Sequence, residues 1–194
     1  MQPQLLKIPG VRWVIAGFAV FLALGFASSL AAEWEQFLLV LNRVPFGVSD
    51  PIFNQDVSFY LFQLPIFQLI QGWLGSLLFV TLIGVVALYA GNNLPDIQQG
   101  RWRPQNIPDV RRHVALLLAG LMAVWAYGYW LNAYELLYAP GGAVFGATYT
   151  DMNASLWALR AQLLFMALAA VAALYTYFRF NLRPLLGGGG LWLL

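Results

Sequence analysis

Residues 66–90 read IFQLIQGWLGSLLFVTLIGVVALYA, with no Asp, Glu, Lys or Arg among them. A helix rises about 1.5 Å per residue and the hydrocarbon core of a bilayer is about 30 Å thick, so roughly 20 such residues suffice to cross it. Three more stretches have this character: about Val11 to Ala32, His113 to Tyr134 and Ala154 to Phe178. The expected fold is therefore all-α, a polytopic membrane protein with about four transmembrane helices in a single membrane domain over residues 1–194.

Composition points the same way. Hydrophobic residues make up 61% of the chain and charged residues 9%, against roughly 45–50% and about 25% in a soluble domain. So few charges cannot cover a water-facing surface of this size, whereas lipid needs almost none. The absence of Cys excludes disulfides, thiolate metal sites and cysteine nucleophiles. A net charge of +2 is too small to argue for a nucleic-acid partner.

The links carry turn and breaker residues: Pro45, Asp50-Pro51 and Pro65 in the first, Gly91 to Pro108 in the second, and Pro140-Gly141-Gly142 to Asp151 in the third. Lys7 and Arg12, then Arg101, Arg103, Arg111 and Arg112, then Arg179 and Arg183 would all lie on one side. Arg43 stands alone on the other. The positive-inside rule then places both termini and the second link in the cytoplasm. The setting this implies is the bacterial cytoplasmic membrane or a thylakoid-type internal membrane. A competing reading of the first run is a signal peptide, with Ser29-Leu30-Ala31 before Ala32 as its cleavage site. The run is long for that role.

Within residues 33–44, Trp34, Phe37, Leu38 and Leu41 share one helical face. This predicts a short interfacial amphipathic helix with Glu35 and Arg43 toward water. Gly187 to Gly190 mark residues 181–194 as a flexible tail. Small residues at Gly17 and Gly25, Gly120 and Gly128, and Ala169 and Ala173 predict faces where helices approach closely.

Few charges could carry chemistry. Arg160 falls inside the fourth run and is a functional candidate by position. Snorkelling, or an ion pair with Glu135 across the hairpin of the last two spans, accounts for it more simply. Asp50, Asp56 and Asp151 lie on the outer side with Tyr60 and Tyr149. Carboxylates there could hold a hard cation, but no calcium-loop pattern is present. Asp50 before Pro51 reads as turn chemistry, and Asp151 as the cap of the fourth helix. His113, the sole histidine, opens the third run. It is a candidate ligand for the magnesium of chlorophyll, although the abundant Phe, Trp and Tyr fit interfacial belts equally well. No catalytic constellation, P-loop or HExxH motif is present.

Two outer segments are more specific. Residues 50–65, DPIFNQDVSFYLFQLP, resemble a signature of a bacterial membrane group known as uncharacterised protein family 0182. Residues 146–154, GATYTDMNA, resemble a second signature in the same order. Asn54 stands where a Gly is usual. Members of that family are longer, with several N-terminal membrane helices and a large extracytoplasmic part, so the resemblance implies a shortened relative or a fragment without that part. No established activity comes with it. The leading functional expectation is a non-enzymatic membrane subunit that contacts lipid and other membrane protein subunits, with no cofactor. Alternatives are a transporter or channel component using the outer polar cluster, and an accessory subunit binding chlorophyll or lipid.

Overall fold

The computed structural model describes residues 10–101, 107–138 and 146–178. Lys7, Arg103, Arg179, Arg183, the Pro140-Gly141-Gly142 turn and the 181–194 tail lie outside the described residues. Within them the chain is helical. Helix α1 spans Val11–Ala32 and α2 Trp34–Leu41. A π-turn, Phe59–Gln63, leads into α3, Leu64–Asn92. The short α4 covers Leu94–Gln98 and α5 covers Pro108–Glu135. A second π-turn, Asp151–Ser155, leads into α6, Leu156–Phe178. No β-strand occurs among the described residues, only one antiparallel bridge between Ser49 and Asp56. Four helical segments are long and apolar enough to cross a membrane. The protein is an all-α polytopic membrane protein.

The second span begins earlier than its apolar run. Pro65 reads as a breaker, yet the backbone is already helical at Phe59. In the π-turn the Leu64 N–H donates to Phe59 O, five residues back. A proline ring clashes with the carbonyl four residues back in a regular α-helix, here that of Leu61, which lies inside this wider turn; the position near the helix start also limits the loss from a missing N–H. Pro108 acts similarly at the start of α5, where its fixed φ suits the first helical position and leaves His113 within the second turn.

Packing centres on the α5–α6 hairpin, with α3 against α5. Small residues are prominent among those buried at this hairpin, Ala115, Ala119, Ala126 and Ala133 on α5 and Ala170 and Ala173 on α6, beside larger ones such as Leu121, Leu131 and Met166. In lipid there is no hydrophobic gain from joining helices, so close backbone approach and polar bonds hold them. On the α3 seam, Gly120 lies against Leu78 and Gly75 against Val124 and Trp125. A Cβ on Gly128 would stand 2.7 Å from Gln71 Nε2. That carboxamide donates to Val124 O at 3.3 Å. The expected glycine face of the third span therefore serves contacts within the chain. Gly17 and Gly25 on α1 meet nothing within 4 Å.

Helix α1 is held by one described polar tie. Trp73 Nε1 donates to Phe26 O at 2.9 Å, with the two rings edge to face at 5.9 Å. No residue of α1 is buried. Ser29 sits within this continuous helix, its hydroxyl bonded to Phe26 O. Helix α2 turns Gln36, Phe37 and Val40 partly inward and leaves Trp34, Leu38 and Leu41 exposed. Most of its apolar stripe thus points away from the protein, as an interfacial helix requires.

Candidate functional site

The sequence-predicted residues gather mainly at one end of the bundle, here called the Asp50 end. Residues 42–56 form a loop tied by Asp50 N–H to Gln55 O and by the following Val57 N–H to Val48 O, both 2.9 Å. Asp50 organises its turn. Its carboxylate accepts the backbone N–H groups of Ile52, Phe53 and Gln55 at 2.9, 2.6 and 2.8 Å. It also accepts the Tyr60 hydroxyl at 2.8 Å. Asn54 closes the turn with φ 56°, its N–H on Asp50 O. Asn tolerates this left-handed geometry better than most residues, and Gly better still.

Asp56 fastens the other half. It accepts from Phe46 N at 3.1 Å, Gly47 N at 2.8 Å and Ser58 N at 2.8 Å. The Ser58 hydroxyl, then these backbone donors, hold the Asp56 pKa at about 2, below the ordinary 3.8. For Asp50, partial desolvation pushes upward, but the donors from Phe53, Tyr60, Gln55 and Ile52 together outweigh it and the pKa is lowered. Both carboxylates are filled by N–H and O–H donors. That chemistry builds a rigid loop. A cation site needs the opposite, oxygen atoms converging on one point.

The loop rests on an aromatic floor. Phe53 and Phe59 lie 4.7 and 5.1 Å from the Tyr134 ring, and Tyr60 lies 6.2 Å from Tyr138. Leu64 and Leu131 are fully enclosed beneath. Tyr60 is the hinge of this arrangement, joining Asp50 through its hydroxyl and the floor through its ring.

Glu135 does not meet Arg160. Gln68 Nε2, reaching across from α3, donates to Glu135 Oε1 at 2.7 Å. Arg160 is exposed and lies over the Trp157 ring at 5.1 Å. Because Trp157 precedes it by about one turn, the guanidinium leans toward the start of α6, the geometry of a snorkelling side chain stacked on an aromatic face. The hairpin places Glu135 and Arg160 on neighbouring helices, but α3 fills the contact instead.

Asp151 caps its helix from inside. Thr148 is the capping residue: its hydroxyl accepts the Asp151 N–H at 3.3 Å, while Asp151 Oδ2 accepts the Thr148 N–H at 2.9 Å. This reciprocal pair is a capping box with Asp in the third helical position. The expected cap is thus displaced by three residues. Tyr149 is 83% exposed. His113 lies at the opposite end, where its Nδ1 meets the Tyr89 hydroxyl at 3.2 Å. It shares no contact with the Asp50 loop.

The residues missed in the sequence are mostly uncharged. Gln68 and Gln71 bond across the α3–α5 seam. A carboxamide inside an apolar run was the available signal, since hydrocarbon offers it no partner. Thr148 was legible as the first residue of a Thr-x-x-Asp box.

Comparison with known sequences follows from these two loops. A profile of the Uncharacterised protein family (UPF0182) matches residues 2–194.

The chain belongs to this family.

A UPF0182 protein of Trichodesmium erythraeum is 36% identical over 162 residues, covering 83% of this chain and 17% of the relative. One from Synechococcus sp. is 41% identical over 145 residues, covering 74% of this chain and 16% of the relative. One from Desulforamulus reducens is 33% identical over 185 residues, covering 93% of this chain and 20% of the relative. The chain thus spans a fifth or less of these curated UPF0182 relatives. No solved structure matches it.

Proposed function

We propose that this UPF0182 chain is a non-enzymatic membrane subunit that packs against other membrane proteins in a larger complex. Its setting is a bacterial cytoplasmic membrane, with the Asp50 end outside and the His113 end in the cytoplasm. The observation that carries the reading is α1. It is a 22-residue apolar helix with no buried residue, and Trp13, Val14 and Phe21 are each at least 70% exposed. Lipid can cover such a helix, but the open faces at Gly17 and Gly25 also suit close approach by another helix. The loop chemistry supports a scaffold, because Asp50 and Asp56 spend their oxygens on backbone donors. Extraction in mild detergent followed by native mass analysis tests the proposal. Co-purifying membrane subunits are expected. A lone monomer under every gentle condition would refute it.

A second reading, a transporter or channel component, draws on the Gln68–Glu135 bond between spans, since intramembrane polar groups often mark solute paths. Flux across liposomes holding the purified protein separates the two readings.

A further inference from the structure

Between the Asp50 ends of α5 and α6 lies a pocket of about 430 Å³, whose polar lining comes from Asn132, Glu135, Ser155 and Gln162, with Leu136 and Leu159 among its apolar walls. Gln68 occupies Glu135 Oε1. A carboxylate offers about four acceptor positions on two oxygens, so this bond leaves acceptor capacity on a residue that lines the pocket. The Ser155 hydroxyl donates to Asp151 Oδ1 at 3.3 Å, which uses its proton, leaves its oxygen free to accept and sets a second carboxylate beside it. Arg160, the cation on α6, is engaged with Trp157 and is not part of the lining. The pocket therefore combines net negative charge, several oxygen acceptors and hydrocarbon walls. Its volume falls in the lower part of the range for small-ligand sites, about 300–1,000 Å³.

We propose that this pocket binds the primary ammonium headgroup of a membrane phospholipid, with Glu135 as its counter-charge. An ammonium carries three N–H donors, enough to reach Glu135, Ser155 and a carboxamide oxygen together. A bare metal ion requires several oxygens at about 2.0–2.6 Å, a tighter cage than a pocket this wide provides. A quaternary ammonium has no N–H to give. The position also suits a lipid: α5 ends and α6 begins here, where spans meet the headgroup layer, and the exposed Tyr138 and Trp130 nearby are the residues that favour that depth. Leu136 and Leu159 would lie beside the upper acyl chain.

The test is lipid retention by the purified chain in nanodiscs containing phosphatidylethanolamine and phosphatidylcholine with matched acyl chains, read by native mass analysis. The wild type is expected to retain phosphatidylethanolamine about tenfold in preference, the scale of one charge-assisted hydrogen bond. Glu135→Gln should remove that preference. Ala158→Phe, on a wall residue of the pocket, should remove it while leaving the carboxylate intact. This second variant decides the matter if the first disturbs folding, as judged by helical content and monodispersity. Glu35→Gln, on the distant exposed face of α2, should leave the preference unchanged. No preference in the wild type, or a full preference in folded Ala158→Phe, overturns the proposal. Competition by free ethanolamine at equal concentration would also overturn the lipid assignment, in favour of a soluble amine.

Discussion

Helices α1 and α5 are both long enough to span a bilayer, and α1 is the more apolar of the two. Yet α5 buries ten residues and α1 buries none. Apolarity therefore decides which segments enter a membrane, and something else decides which of them adhere. On α5 that something is a succession of Ala and Gly positions and polar groups that bond across the seam: Val124 O to Gln71, Glu135 to Gln68. On α1 one indole bond from Trp73 does the work. The bilayer treats Leu and lipid tails alike, so only shape and hydrogen bonding discriminate between neighbours.

Breaking the tight side of this comparison should have the largest effect. Gly128→Leu would drive a side chain into Gln71, whose nearest atoms already stand 2.7 and 3.0 Å from a hypothetical Cβ. Gln71 can swing its end aside only by giving up its bond to Val124 O, and overpacking of this kind costs about 1–3 kcal/mol. Reversible unfolding in mixed micelles should register it, together with loss of the α3–α5 contact by cross-linking. Asp50→Ala removes the acceptor for three backbone donors and the Tyr60 hydroxyl. An expected loss of about 2 kcal/mol should be accompanied by proteolytic cleavage within residues 44–58, while the α5–α6 hairpin stays protected.

Acid should attack the same loop. The folded-state pKa of Asp56 is about 2, below the ordinary 3.8, so the unfolded chain binds more protons in that interval. Its stabilising contribution is complete above about pH 4 and disappears as pH falls toward about 2. Asp50 shifts in the same direction. Loop protection against hydrogen exchange should therefore decline through this window, and Asp56→Asn should flatten the decline.

Thr148→Ala is expected to cost about 1 kcal/mol, the usual worth of a capping side chain, and to fray only the start of α6. At the loose side of the comparison, Gly17→Leu meets open space and should change the stability of the isolated chain by no more than about 0.5 kcal/mol. A much larger loss for Gly17→Leu would mean that α1 has a packed neighbour within the chain itself. An effect seen only on complex recovery would sharpen the distinction between internal and external seams.

The spans were legible because crossing a bilayer depends on a simple count of apolar residues. Their starts were less so. Pro65 carries a strong local signal, but a wider turn absorbs it, and that accommodation depends on backbone freedom that no single residue announces. The acidic residues of the Asp50 loop were visible, and the turn role of Asp50 follows from its Pro neighbour. The partner of Glu135 was not. Chain order makes α6 its obvious neighbour, whereas the bond comes from Gln68, 67 positions earlier. Such contacts are set by the rotation of each helix about its axis, and weakly amphipathic spans leave that rotation almost unmarked. The Thr148–Asp151 box was written in the sequence, one turn away from the cap expected.

The two π-turns have a consequence for how loop and span are phased. An α-helix advances about 100° per residue, so one extra residue in a single turn rotates everything before it by about that angle relative to everything after. Phe59–Gln63 and Asp151–Ser155 occupy corresponding places at the start of a span, the first after the loop fastened by Asp50 and Asp56, the second at the Thr148–Asp151 cap. They act as angular adjusters. Deleting one residue from the first, between Tyr60 and Leu64, would leave the span long enough for the bilayer, yet swing the Asp50 loop and Tyr60 about a quarter turn relative to α3 and off their aromatic floor.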